Sequence, residues 1–114
     1  RQGDLPNLIS VYQKWIAEIP REAERPYMAL ADAYHRHKQH PEAIRYYDLA
    51  LKFETHRKEI DWALLRMADS YEAIGEKQQG EDILRRISKE ATDPMIRQIA
   101  LEKRRGLKGF QPTE

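Results

Sequence analysis

The sequence predicts an all-α fold: antiparallel helix pairs, about six helices, stacked so that neighbours share one core. Three observations point there. First, a pattern recurs. One copy reads Tyr27-x-x-Leu30-Ala31-x-x-Tyr34, then Ala43-x-x-x-Tyr47-x-x-Ala50. The second reads Leu64-x-x-Met67-Ala68-x-x-Tyr71, then Gly80-x-x-x-Leu84-x-x-Ile87, with Tyr34 and Tyr71 lying 37 residues apart. Second, a hydrophobic fraction of 40% beside a charged fraction of 34% suits thin, well-solvated helical layers better than a thick globular core. Third, no segment alternates apolar and polar residues as a half-buried strand would.

The first helix is expected over residues 5–19, with Leu8, Tyr12, Trp15 and Ile19 on one face at spacings of three and four. Pro6 is tolerated in its first turn and Pro20 stops it. A second helix is expected over residues 23–38, with Pro26 as a first-turn residue, and a third over 41–53. The third turns Ala43, Ile44, Tyr47, Ala50 and Leu51 inward. After a polar connector, a fourth helix spans 59–74, and Gly75 supplies the left-handed residue that closes it. A fifth spans 77–91, with Ile83, Leu84 and Ile87 inward. Asp93 then caps a sixth helix that starts at Pro94 and ends at Gly106, before an irregular tail over 107–114.

Several functions are disfavoured by composition. There is no Cys, hence no disulfide, thiolate metal site or Cys nucleophile. No run of apolar residues is long enough for a membrane-spanning helix, so membrane insertion is not expected. A net charge of +1 gives no overall pull toward nucleic acid. The basic run Lys103-Arg104-Arg105 with Lys108 reads as a solvated helix end, where cations are favourable, so nucleic-acid binding is disfavoured. His35, His37 and His40 lie beside Arg36 and Lys38 at a helix end, which disfavours a metal site. There is no Gly-rich phosphate loop and no nucleophile on a strained turn. The chain is therefore expected to be no enzyme, with no cofactor and no metal.

The repeated residues resemble the tetratricopeptide repeat (TPR) family. Tyr27, Leu30, Ala31, Tyr34, Ala43, Tyr47 and Ala50 match its signature well. Leu64, Met67, Ala68, Tyr71, Gly75 and Gly80 match it in the second copy. The first copy has Lys38 where the turn Gly falls and Thr55 near the closing Pro, while Leu84 and Ile87 replace an aromatic and a small residue in the second. Gly3-Asp4 resembles the turn of an earlier repeat, whose second helix carries Leu8, Tyr12, Trp15 and Pro20. Large Leu8 and Trp15 at small positions suggest an end helix covering exposed core. The resemblance implies one TPR-like domain over 1–110: a half repeat at 1–22, repeats at 24–57 and 61–92, and a capping or partial-repeat helix at 93–106.

The resemblance further implies a short right-handed superhelix with a concave groove that binds a protein or peptide. Arg25, Met28, Asp32 and His35 would line it from the first repeat, and Trp62, Leu65, Asp69 and Glu72 from the second. Arg97, Leu101 and Arg104 would follow from the last helix. Met28, Trp62 and Leu65 are the expected apolar anchors, and Asp32, Arg66 and Asp69 the expected orienting groups. The alternative expectation is a homo-oligomer, built through the open ends of the stack. Tyr34 and Tyr71 are read as packing residues.

Overall fold

The structure is a computed structural model that describes residues 5–108. Six α-helices appear among the described residues, with no strand: α1 Leu5–Glu18, α2 Tyr27–Arg36, α3 His40–Phe53, α4 Arg57–Ala73, α5 Lys77–Glu90 and α6 Pro94–Lys108. A single 3₁₀ turn, Glu22–Glu24, sits between α1 and α2. The chain divides into two compact units, Arg1–Glu54 and Thr55–Glu114. In the first, α2 packs on α3 and α1 on α2; in the second, α5 packs on both α4 and α6.

Most boundaries fall where the local chemistry puts them. Asp93 caps α6, its Oδ1 accepting the Met95 N–H at 2.9 Å. The α2 boundary differs from expectation. Helix α2 starts after Pro26, and Arg25 is extended, with φ −75° and ψ 147°. A proline ring pushes the preceding residue out of the helical region, so the turn at Glu22–Glu24 cannot run on into α2. Helix α4 starts two residues earlier than expected, and α6 runs through Gly106 to Lys108. The Gly3-Asp4 turn and the tail from residue 109 lie outside the described residues.

Two helix ends, 37 residues apart, close in the same way. After α4, the Gly75 N–H donates to Glu72 O at 3.0 Å and the Glu76 N–H to Tyr71 O at 2.8 Å. After α2, the Lys38 N–H donates to His35 O at 3.0 Å and the Gln39 N–H to Tyr34 O at 2.9 Å. Each is a Schellman closure, which requires a left-handed residue one place past the cap. Gly75 meets that requirement with φ +86°, whereas Lys38 meets it with φ +62° and a side chain.

The first unit buries Leu30, Ala31, Ala33, Ala43 and Tyr47 completely. The second buries Ala63, Ile87, Ile96 and Ala100 completely, together with Asp61 and Ser70. Small residues set the spacing of paired helices. A Cβ placed on Gly80 of α5 would stand 3.2 Å from the backbone oxygen of Ala68 on α4. At the corresponding places of the first unit, Ala43 and Ala31 are fully buried.

Helix α1 corrects one expectation. None of its described side chains is buried, and Trp15 is 51% exposed. Leu8, Tyr12 and Ile19 of the expected face are half-buried, as are Ile9 and Ile16, while Trp15 falls outside the contact. The Trp15 indole instead meets Tyr12 edge to face, with ring centroids 5.7 Å apart.

The two closures make opposite demands on substitution. Lys38→Gly should raise stability by about 1 kcal/mol, because the left-handed backbone no longer opposes a Cβ. Gly75→Ala should lower it by about 1 kcal/mol. Urea-unfolding midpoints of the two variants against wild type provide the check.

Candidate interaction surfaces on the two units

Each unit has its own candidate residues. In the first, α2 presents aromatic rings to α3 along one side. Phe53, Tyr27, Tyr46 and Tyr34 form a continuous ladder with centroid separations of 6.2, 6.4 and 5.6 Å and interplanar angles of 30° or less. The geometry follows from spacing. Tyr27 and Tyr34 stand seven residues apart on α2, as do Tyr46 and Phe53 on α3, and two antiparallel helices interleave them. The Arg45 guanidinium lies 5.3 Å from the Tyr46 ring centroid. The repeated pattern includes Tyr47 and leaves out Tyr46. The recurrence of aromatics at a seven-residue spacing on both helices was the signal that could have found it.

The expected groove residues of α2 are held within the hairpin. Asp32 accepts a short hydrogen bond from the Tyr47 hydroxyl of α3. His35 meets His40 and Tyr47 edge-on, with centroids 5.7 and 6.3 Å away. Among the described residues no group of three or more His, Asp or Glu is arranged to hold a metal ion. Met28 is half-buried and lines a small cleft at the mouth of the hairpin. Arg25, the other expected residue, has its Nε donating to Ile19 O at 3.0 Å and its Nη1 to the Tyr27 hydroxyl at 3.4 Å.

In the second unit, Trp62 is half-buried, and the Arg66 guanidinium lies 5.8 Å from its ring centroid. Glu72 is exposed. Asp69 pairs with Lys103 of α6 at 2.8 Å, a contact between residues 34 apart that sequence reading did not anticipate. Leu65 requires correction as an expected anchor: it is 2% exposed and belongs to the packed interior. Helix α4 buries Asp61, Ala63, Leu64, Leu65, Met67, Ala68 and Ser70, an arc far wider than one amphipathic stripe. Leu65 lies inside that arc, one turn from both Asp61 and Ala68.

The last helix holds its charges in pairs. Arg104 pairs with Glu81 of α5 at 3.5 Å, and Arg97 donates to Ala91 O at 2.7 Å. Leu101 is half-buried. Two cations of the Lys103-Arg104-Arg105 run are therefore engaged in ion pairs within the unit. On α4, the fully buried Asp61 pairs with Arg57 one turn earlier at 3.1 Å. Among the described residues no helix is long and apolar enough to cross a membrane.

With this geometry in hand, the chain was compared with protein-family models, curated proteins and solved structures, and nothing matched.

One member of the aromatic ladder titrates abnormally. Burial raises the pKa of the Tyr34 hydroxyl, and the neighbouring Tyr46 and Glu42 push it the same way. The folded state therefore holds this proton more tightly than the unfolded chain does. The resulting stability is complete below about pH 10, the unfolded tyrosine value, and is lost as pH rises through the folded one. Thermal melts between pH 8 and pH 11 should show this alkaline loss, and Tyr34→Phe should blunt it.

Proposed function

We propose that this chain is a protein–protein interaction module of the helical-repeat kind, similar to tetratricopeptide repeats, acting without catalysis. The observation that carries the reading is the Trp62–Arg66 pair. A tryptophan ring with a guanidinium 5.8 Å from its centroid stays half-exposed on a helix that buries most of its circumference. Trp and Arg are the side chains most enriched at binding hot spots. Further support comes from two helix pairs whose turns close identically 37 residues apart, the spacing typical of stacked binding repeats. In this reading Trp62 anchors an apolar group of the partner. Arg66 and Glu72, on the same helix, orient it.

The reading is tested by affinity capture with wild type and a Trp62→Ala, Arg66→Ala double variant, both shown by circular dichroism to remain helical. Loss of a hot-spot pair should weaken capture of a specific partner by at least about tenfold. Equal capture by both proteins removes the reading.

A second reading is favoured by α1. Val11 is 43% and Trp15 51% exposed, two large apolar side chains a helical turn apart. Self-association through this face would cover them. Sedimentation velocity should then show a concentration-dependent dimer for wild type and a monomer for Trp15→Glu; a monomeric wild type excludes it.

A further inference from the structure

Helix α1 carries more apolar surface than its own unit covers. Leu8, Tyr12 and Ile16 are half-buried, whereas Val11 and Trp15 are exposed. The two sets adjoin: Val11 and Trp15, on successive turns, extend the half-buried face at one edge. The Trp15 ring is also held in place, edge-on to the half-buried Tyr12 at 5.7 Å. We propose that a second copy of this chain covers this edge, with the two α1 helices packed antiparallel about a two-fold axis near Trp15. The proposal rests on the self-association reading above and gives that reading its geometry.

Charge selects the occupant. Among its 14 residues α1 has only two charged side chains, Lys14 and Glu18. Both are exposed. At about 3.6 residues per turn, both fall on the side of Val11 turned away from the half-buried face. The edge is thus bordered by one cation and one anion, a helical turn apart. Such a border is complementary to itself when reversed. A two-fold axis across the helices brings like flank to like flank in opposite directions, so Lys14 of each copy meets Glu18 of the other. That is the isologous contact of a closed dimer. A parallel pair instead sets this flank against the opposite one, where Leu8 and Ile19 lie, and leaves the charges unmatched.

The order of the two residues points the same way. Within one helix, a Lys four residues before a Glu is the less favourable order, so the pair does little for α1 alone. Between antiparallel helices the order carries no penalty, and symmetry makes the pairing twice. Length sets the expected strength. The 14 residues of α1 span about 21 Å. One such helix pair buries far less than the roughly 2,000 Å² at which obligate dimers begin, so a micromolar, reversible dimer is expected.

The test is sedimentation velocity on the whole chain from about 1 to about 200 µM, in about 50 mM salt, where exposed charges are only partly screened. Wild type is compared with Lys14→Glu, with Glu18→Lys, with the double reversal, and with an equimolar mixture of the two single variants. Circular dichroism first shows that each is as helical as wild type. Each single reversal places like charges across the contact twice and should raise the dissociation constant at least about tenfold. The double reversal restores both pairs and should dimerise as wild type does. The mixture should form a heterodimer, because one chain then presents two anions where the other presents two cations. Neither a parallel nor a purely apolar association produces this pattern.

Single variants that dimerise as tightly as wild type overturn the antiparallel contact, as does a double reversal or a mixture that stays monomeric. A wild type that is monomeric throughout overturns the proposal together with the self-association reading, and leaves the edge to a different partner. Trp62-dependent capture is read on another helix and is unaffected by either result.

Discussion

Close approach of paired helices is the constraint on which the rest depends. Where α5 crosses α4 there is no room for an unstrained methyl group, because the carbonyl oxygen of Ala68 stands 3.2 Å from where a Cβ on Gly80 would lie. That proximity lets Leu84 and Ile87 of α5 lie inside the unit, against a helix whose own Leu64, Met67 and Ala68 are buried. Gly within a helix costs about 1 kcal/mol relative to Ala, and the packing gained by close contact offsets it. In the first unit alanines occupy the same places, and large aromatics supply the remaining volume.

Charge then fastens what apolar packing brings together. Lys103 and Arg104 of α6 reach Asp69 of α4 and Glu81 of α5, so two consecutive cations tie the last helix to both its neighbours. These pairs are partly exposed, and each contributes on the order of 1 kcal/mol or less. Their larger effect is to remove two cations from the basic run and one carboxylate from the expected acidic wall.

The helical class was legible in the sequence because small and large residues recur at helical spacing. The Gly75 closure and the Asp93 cap were legible because each needs a particular residue type. The α2 start was not read correctly: the conformational effect of Pro26 on Arg25 outweighed the helical pattern preceding it. The site was only partly legible. Asp69 was recognised as a charged residue, but its partner lies on a helix 34 residues away, and single-sequence periodicity carries no such information. Leu65 was misread for a related reason. A stripe argument assigns one face to the core, whereas α4 buries most of its circumference. The aromatic ladder depends on pairing two helices, each of which shows only an ordinary spacing by itself.

The lysine in the first turn has a dynamic consequence. Both hairpins close with the same pair of backbone hydrogen bonds, yet only one does so with a side chain at positive φ. At about 1 kcal/mol of backbone strain, with other contacts equal, the α2–α3 turn opens roughly fivefold more often than the α4–α5 turn. His35 and His40 meet across that same turn. Each opening therefore parts the two imidazoles and bares backbone amides at this end of the first unit.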